Sequence, residues 1–159
     1  MTLLNAPEFD ERKEKQKRNI LIGSVIFVVA MALLSLTGFA LGHGWLFTNL
    51  PVEHRVGVFL ATLQSGDYAK AYAIWNNDPN WQQHPQQYQD YPLQRFTEDF
   101  TSASDWKGPV KSFHVEFSKR DNTGTVVAAT VNGGNNIYLK YQRSDGTLSF
   151  FPYELTRGL

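Results

Sequence analysis

An uninterrupted apolar run from Ile20 to Leu41 constrains this chain more than any other feature of its sequence. Its 22 residues carry no charge, and none of them is more polar than a serine or a threonine. At about 1.5 Å of rise per residue, a helix of this length crosses the roughly 30 Å hydrocarbon core of a bilayer. The run therefore predicts one membrane-spanning helix over residues 20–42.

The charged residues that flank the run predict its orientation. Five basic residues lie in the leader, residues 1–19, and the next basic residue after the run is Arg55. By the positive-inside rule, the leader is a cytoplasmic tail and the chain after the helix lies across the membrane. We expect a bacterial inner (cytoplasmic) membrane protein whose C-terminal domain is periplasmic or extracellular. Trp45 and Phe47 follow the run closely and suit the aromatic belt of a membrane interface.

A cleaved signal peptide is the alternative interpretation of the apolar run. Gly38-Phe39-Ala40 places small residues three and one positions before a possible cleavage site. The charged leader is long, however, and the apolar region of a signal peptide usually spans only about 7–15 residues. An uncleaved anchor is therefore the favoured prediction. The absence of cysteine from the sequence excludes a lipoprotein anchor, disulfides and thiolate metal sites.

The remainder of the chain has the length of a single domain. We expect a juxtamembrane linker over residues 43–50 and one domain over residues 51–159, long enough to bury its own core. From residue 43 onward the chain has ten basic and eleven acidic residues, so its net charge is close to zero. This balance gives no support for nucleic-acid binding. The bilayer and other membrane protein subunits are the partners that we expect.

Three helices are predicted at the start of this domain. The first helix is predicted to start at Asn49-Leu50-Pro51, with Pro51 near its first turn, and apolar residues recur every three or four positions over Val52–Leu63. Asp67 is a candidate N-cap for a second helix, Tyr68–Trp75. A third short helix is predicted over Leu93–Phe100, after a loop rich in proline and glutamine. The first two helices are close enough in sequence to form a helical hairpin.

Beyond Gly108-Pro109 the apolar period changes from helical to alternating. Phe113, Val115 and Phe117 fall on one face of the first predicted strand. Turn sequences rich in glycine, asparagine and aspartate separate the strands, as in a meander. Helices grouped before an antiparallel sheet predict an α+β domain with the helices against one face. The four predicted strands are Val110–Lys119, Thr125–Asn132, Ile137–Arg143 and Thr147–Glu154.

The first helical hairpin resembles a known family. Residues 56–72, VGVFLATLQSGDYAKAY, look like the opening of NTF2-like (cystatin-like superfamily) domains, especially the extracytoplasmic ones of bacterial membrane proteins and lipoproteins. Gly66 and Asp67 reverse the chain there, and the alanines after them let a helix approach the sheet closely. The resemblance covers residues 51–155 in outline. It implies a sheet curled around a helix, which leaves a cone that can hold a ligand; the fold hosts enzymes, binding domains and assembly modules alike.

The sequence offers no catalytic or metal-binding constellation. Its acidic residues lie at turns or on polar faces, where solvated carboxylates are common. The four histidines, His43, His54, His84 and His114, lack the spacing of a zinc site. No serine has the context of a nucleophile elbow, and no glycine-rich phosphate loop is present. We therefore predict that the protein is not an enzyme and uses no cofactor or metal.

An aromatic cluster in the middle of the domain is open to three interpretations. The rings can fill the open end of the cone as core or rim, as most large aromatic side chains are largely buried. They can form a contact surface, since Trp and Tyr are favoured at interface hot spots. Stacking against a sugar is the third possibility. The residues concerned are Trp75, Trp81, Tyr88, Tyr91 and Trp106.

Two functional hypotheses follow. The first is a non-catalytic accessory or assembly subunit of a larger membrane complex, which predicts a filled cone and an exposed apolar patch. Its membrane helix would then be an interface, where Gly38 and Gly42 form a GxxxG match. The second is an enzyme or small-ligand binder that uses the cone as a pocket, with a perturbed carboxylate or histidine. Such a pocket would be lined by several of Tyr72, Trp75, Phe96, Phe113 and Tyr141.

Overall fold

The structure is a computed structural model that describes residues 10–152 of the chain. Helices come first and strands follow, in the order that the sequence predicts. Two short 3-10 helices, Trp81–Gln83 and Pro85–Tyr88, occupy the middle loop. Residues 1–9 of the leader and the predicted end of the last strand lie outside the described residues. The main elements are α1 (Glu11–Ala40), α2 (Leu46–Gln64), α3 (Tyr68–Trp75), α4 (Leu93–Asp99), β1 (Phe113–Arg120), β2 (Gly124–Val131), β3 (Asn135–Gln142) and β4 (Leu148–Phe150).

Helix α1 contains almost the whole apolar run. It is 30 residues long and, of the helices that the structure describes, it alone is long and apolar enough to cross a membrane. It ends at a Schellman cap, in which the amide of Gly42 donates to the carbonyl of Phe39 and the amide of His43 to that of Gly38. Gly42 has a φ of +86°, which glycine adopts without strain. The chain divides into two compact units between Thr37 and Gly38, so this cap belongs to the second unit.

Helix α2 begins at Leu46, upstream of the predicted start at Asn49-Leu50-Pro51. Pro51 therefore lies inside the helix, where its missing N–H removes the regular bond to the carbonyl of Phe47. Proline is commonest in the first turn of a helix, and this preference is what placed the predicted start too late. The correction extends the helix upstream from Asn49 to Leu46.

The turn between α2 and α3 has the geometry that its sequence predicts. Gly66 adopts a φ of +79°, and its amide donates to the carbonyl of Leu63 at the end of α2. The carboxylate of Asp67 accepts a hydrogen bond from the amide of Lys70 at 3.0 Å and so caps α3. The observed bounds of α3, Tyr68–Trp75, are the predicted ones. Local capping chemistry is sufficient to determine this hairpin turn.

The four strands form one antiparallel sheet in the order β1-β2-β3-β4. Helix α2 packs on β1 and β2, α3 contacts β4, and α4 packs on α3. Alternate residues of β2 face these helices, and the aromatic residues of α2, α3 and α4 cover them. The predicted α+β architecture is confirmed, and the arrangement is compatible with an NTF2-like one. The largest fully buried core side chains are Val56, Phe59, Leu60, Leu63, Tyr72, Phe96, Phe100, Val127, Val131 and Leu139.

A β-bulge changes which side chains of β1 point toward the helices, and part of the prediction for this strand is therefore wrong. Val115 pairs with Ala129, but the next paired residue, Phe117, pairs with Ala128. Since neighbouring residues of a strand point to opposite faces, Phe117 lies on the face away from the helices, and the prediction that it shares the face of Phe113 and Val115 is wrong. The extra residue is Glu116, which an alternating pattern of apolar residues cannot reveal.

Candidate functional site

A buried polar cluster links the segment after α1 to helix α2 and strand β1. We call it the Glu53 cluster; its members are His43, Asn49, Glu53 and Ser118. Nδ1 of His43 lies 2.8 Å from Oε2 of Glu53, and the hydroxyl of Ser118 donates to Oε1 of the same carboxylate. Asn49 donates from Nδ2 to the Ser118 hydroxyl oxygen at 2.9 Å. Glu53, Asn49 and Ser118 are all less than a tenth exposed.

Two features of the sequence bring this cluster together. Asn49 and Glu53 share the buried face of α2 with Val56 and Leu60, at spacings of four, three and four residues. The bulge in β1 turns Ser118 toward α2, since Ser118 pairs with an inward-facing residue of β2. Sequence reasoning did not single out Glu53. The signal was its helical spacing from Val56 and Leu60, which places Glu53 on the buried face of the predicted helix.

The segment between α1 and α2 is packed against the sheet beside this cluster. The amide of Ser118 donates to the carbonyl of Gly42 at 3.1 Å, so the segment bonds to the outer edge of β1. Gly44 has a φ of +59°, and a Cβ there would lie 2.5 Å from Nδ2 of Asn49. Any larger residue at Gly44 would therefore be strained and would press on the cluster. His43 lies in this packed segment, with its side chain 29% exposed.

The hydrogen bonds of the Glu53 cluster are arranged as in a structural network and not as in a catalytic site. The Ser118 hydroxyl donates a hydrogen bond to the carboxylate, and the imidazole of His43 contacts that same carboxylate. A serine nucleophile needs its hydroxyl to be hydrogen-bonded to a base that can take the proton from the attacking oxygen, with a third group orienting that base. Here the carboxylate lies between the hydroxyl and the imidazole. What the arrangement does is fix three chain segments relative to one another.

A second polar cluster holds the loop between α3 and α4. Asp78 accepts hydrogen bonds from Nδ1 of His84 at 2.9 Å, from the Tyr88 hydroxyl at 2.8 Å and from the amide of Asn80 at 2.8 Å. The bond from His84, followed by the one from Tyr88, holds the pKa of Asp78 below its ordinary value. Burial, together with the bond to Asp78, raises the pKa of Tyr88 to about 12. These bonds close the loop on itself.

Tyr91 and Tyr72 complete the attachment of this loop. The Tyr91 hydroxyl donates to Oδ2 of Asp99 at 2.8 Å, and the Tyr72 hydroxyl donates to the carbonyl of Tyr91. Burial, followed by the bond to Asp99, raises the pKa of Tyr91. Burial also raises the pKa of Tyr72. The loop is therefore bonded to both α3 and α4.

The five aromatic residues singled out in the sequence all contact the core. Trp75 is buried, whereas Trp81, Tyr88, Tyr91 and Trp106 are partly buried and pack against the core cluster. The rings of Tyr72 and Trp81 meet edge to face at 5.0 Å, and those of Tyr72 and Tyr88 at 6.0 Å. The arrangement is therefore one of rings that line the interior, each with one edge toward solvent at most.

The residues that would line a pocket in the cone are divided between two places. Tyr72, Trp75 and Phe96 are buried in the ring cluster, and Phe113 packs against the core from β1. Tyr141 lines an open groove on the other side of α2. The proposed pocket residues therefore do not meet around one cavity.

This groove has a volume of about 570 Å³ and runs between α2, the end of α3 and β3. Among the described residues that line it, Arg55 is the only Lys, Arg, Asp or Glu. The guanidinium donates from Nη2 to Oδ1 of Asn77 at 2.7 Å and lies 5.6 Å from the centre of the Tyr141 ring. Nε of Arg55 is buried and has no hydrogen-bond partner among residues 10–152. The remaining walls are mainly apolar and include Pro51, Val58, Ile74 and Pro79.

The two glycines proposed for the membrane-helix interface have different positions. Gly38 lies in the last turn of α1, and Gly42 lies beyond the end of that helix, in its cap. Gly42 therefore has a conformational reason to be glycine, independent of any partner. Gly38 accepts the capping bond from His43 through its carbonyl, at 2.9 Å.

Among the residues that the structure describes, no three His, Cys, Asp or Glu side chains come together as a metal site would require. Comparisons with protein-family models, with curated proteins and with solved structures found no match for this chain.

Proposed function

We propose that this chain is a non-catalytic, single-pass membrane protein that acts as an accessory or assembly subunit of a larger membrane protein complex. Its leader is cytoplasmic, α1 crosses a bacterial inner membrane, and the outer domain is NTF2-like and periplasmic or extracellular. The observation that carries the proposal is the filled interior between the helices and the sheet.

Aromatic rings occupy that interior. Phe96 lies at the centre, with its ring 4.9 Å from that of Phe100, 5.2 Å from Tyr72 and 5.7 Å from Trp75. Phe59 of α2 joins the same cluster at 5.4 Å from Phe100. In an NTF2-like domain that binds a substrate, this is the space that the substrate would take. A filled interior is expected of a domain whose function resides on its surface.

The membrane helix supports a role in assembly. A helix with an uncharged span can pack laterally against other membrane helices, and small residues allow close approach.

The experiment that tests this proposal is extraction of the native membrane in mild detergent, followed by blue-native electrophoresis and mass spectrometry. We expect the chain to migrate in a large complex with partners in fixed proportion. A matched variant, in which a leucine–alanine helix replaces residues 20–41, should stay in the membrane and leave the complex. Migration of the unmodified chain alone, as monomer or homodimer, would contradict the proposal.

A second candidate function is binding of a small organic anion in the groove. The observation in its favour is Arg55, a cation on an otherwise mainly apolar wall with a buried, unpaired Nε. Octanoate and benzoate are suitable probes, because each combines a carboxylate with an apolar body. If the groove binds such anions, either probe should raise the melting temperature of the full chain in detergent, and Arg55→Lys should weaken the effect. An unchanged melting temperature with both probes would rule these anions out.

A further inference from the structure

Helix α2 is apolar on both faces, and its own domain covers only one of them. Phe47, Leu50, Pro51, His54 and Val58 recur at spacings of three, one, three and four residues, which places them on one side of the helix. We call this side the outer face of α2. Phe47 is 52% exposed, Leu50 46% and Val58 41%, and the other two members are also exposed. The face extends about 17 Å along the helix axis.

The charges of α2 make this face unusual for a helix in contact with water. Only Glu53 and Arg55 are charged among its 19 residues, and Glu53 is buried. A surface helix of a soluble domain normally carries charged residues opposite its buried side, whereas a helix that is apolar all round is covered on all sides. Contiguous exposed apolar surface marks contact with a protein, a ligand or a membrane. We therefore expect the outer face of α2 to contact another molecule or a membrane.

The position of the outer face of α2 in the chain indicates that a membrane contacts it. Only residues 41–45 separate α2 from the end of α1, and five residues span at most about 18 Å. Exposed aromatic rings bridge this distance: Phe39 lies 6.3 Å from Trp45, and Trp45 lies 6.2 Å from Phe47. The outer face of α2 therefore begins where the apolar helix ends. Tryptophan and apolar side chains at that level are typical of the lipid headgroup region.

The groove beside the outer face of α2 carries a positive charge, which suits the phosphates of phospholipids. Pro51, His54 and Val58 belong to both the outer face and the groove wall. Within residues 10–152, the guanidinium of Arg55 lines the groove and no carboxylate does. Guanidinium groups pair well with phosphate, and basic residues next to a membrane helix are attracted to anionic lipids. The combination of an apolar strip and a flanking cation matches the boundary between acyl chains and phosphates.

We propose that the outer face of α2 lies in the headgroup region of the phospholipid bilayer, with Arg55 at the level of the lipid phosphates. The proposal rests on the membrane anchoring that forms part of the proposed function. It assigns to the outer domain a lipid-binding surface, so that the domain lies against the membrane. Contact with the bilayer buries an apolar face that would otherwise remain in water, at a depth of about 5–10 Å for a helix in the interface.

Site-directed spin labelling of the full chain tests this proposal directly. The sequence has no cysteine, so single variants Leu50→Cys, His54→Cys and Val58→Cys each carry one label. The chain would be reconstituted in vesicles of three parts phosphatidylcholine to one part phosphatidylglycerol. Collision rates with oxygen, which partitions into lipid, and with a polar nickel chelate then give the depth of each label. Gln86→Cys and Ser102→Cys are matched controls at exposed positions of other elements, and Val28→Cys reports on α1.

We expect labels at 50, 54 and 58 to favour oxygen and to lie about 5–10 Å deep, while both controls favour the nickel chelate. Labels at 50, 54 and 58 that resemble the controls would overturn the proposal. Protection from both reagents would also overturn it, because a second copy of the chain would then cover the face. A label at 28 that is exposed to nickel would instead refute the membrane anchoring. Failure of the proposed function can therefore be distinguished from failure of the lipid contact at α2.

A charge-insertion variant gives an independent readout. Leu50→Glu with Val58→Glu places two carboxylates on exposed positions, so the fold should persist. The label at His54 should then lose its preference for oxygen and move out of the lipid, whereas Gln86→Glu with Ser102→Glu should leave it unchanged. An unchanged depth in the first variant would contradict a lipid contact at this face.

Discussion

Glu53 is the residue on which the connection between the packed segment and the outer domain depends most. Its carboxylate receives hydrogen bonds from Ser118 of β1 and contacts the imidazole of His43. A buried carboxylate is costly unless it is hydrogen-bonded, and removing one partner of such a group leaves the others unsatisfied. The cluster is therefore sensitive to single substitutions, whatever its net contribution to folding stability.

Replacing Glu53 by alanine should destabilise the folded domain by about 2–3 kcal/mol, because the buried Ser118 hydroxyl and the ring N–H of His43 lose their acceptor. Thermal or urea unfolding of the full chain in detergent, followed by circular dichroism, measures the change. Asp105→Ala removes an exposed carboxylate and should stay within about 0.5 kcal/mol of the unmodified chain. Equal effects of the two substitutions would contradict the structural role of Glu53.

Two glycines should respond to alanine in opposite directions. A Cβ at Gly124 would overlap the carbonyl oxygen of Tyr141, whereas nothing lies within 4 Å of a Cβ at Gly57. Gly124→Ala should therefore cost about 3 kcal/mol or more, as the strand pair must separate. Gly57→Ala should stabilise the domain by about 0.5–1 kcal/mol, since Gly57 lies inside α2. The same unfolding measurement checks both, and a loss of stability in Gly57→Ala would show that α2 is covered more tightly than described.

At the scale of elements, the parts of the fold that local sequence determines were predictable. The bounds of α3 were predicted residue for residue, since Asp67 supplies a cap and Gly66 a left-handed turn. The strands were predicted to within a few residues, from the alternation of apolar residues in β1, the β-branched residues of β2 and the turn sequences between the strands. These elements could be predicted without the tertiary structure, because residues close together in the sequence determine them.

The elements of the Glu53 cluster could not be predicted in the same way. The start of α2 depends on packing of Asn49 against β1, which overrides the proline signal at Pro51. The bulge at Glu116 depends on pairing with β2, and it exchanges Phe117 for Ser118 on the inner face. The contacts of Asn49 and Glu53 with Ser118 join residues 69 and 65 positions apart in sequence, and the bulge depends on the pairing register between two strands. A site assembled by long-range contacts gives little signal in a single sequence.

The loop between α3 and α4 should make the domain sensitive to alkaline pH. Tyr88 has a folded pKa of about 12, and burial raises the pKa of Tyr91 and Tyr72 as well. The folded state retains these protons where the unfolded chain loses them. Stability is therefore full below about pH 10 and declines as pH rises through the folded pKa values. Unfolding curves measured from neutral to alkaline pH, with phenolate absorbance, follow the decline.

A matched pair of variants attributes this decline to the loop. Tyr88→Phe removes one of the raised pKa values, so stability should fall less steeply with pH above about 10. Tyr68→Phe removes a tyrosine of α3 that lies outside the loop, and the slope should stay as in the unmodified chain. A steeper decline in Tyr88→Phe would contradict the assignment.

At the scale of the whole molecule, three observations point to a protein that works at a membrane surface. One helix is apolar enough to span a bilayer, the domain has an interior filled with aromatic rings, and the outer face of α2 begins within ten residues of the end of α1. Together these observations support the proposal of a protein whose contacts lie along the membrane.

The proposed location of the outer domain depends on the orientation of the chain in the membrane. Five basic residues precede the apolar run, while Arg55 is the first basic residue after it. Translocating the leader would carry that charge across the membrane, so the leader should stay in the cytoplasm. In intact cells, a membrane-impermeant maleimide should therefore label Ser144→Cys, once the outer membrane is opened, and should not label Lys13→Cys until the inner membrane is lysed. Labelling of Lys13→Cys alone would place the outer domain in the cytoplasm, and the proposed partners outside the membrane would then be excluded, since no part of the domain would reach them.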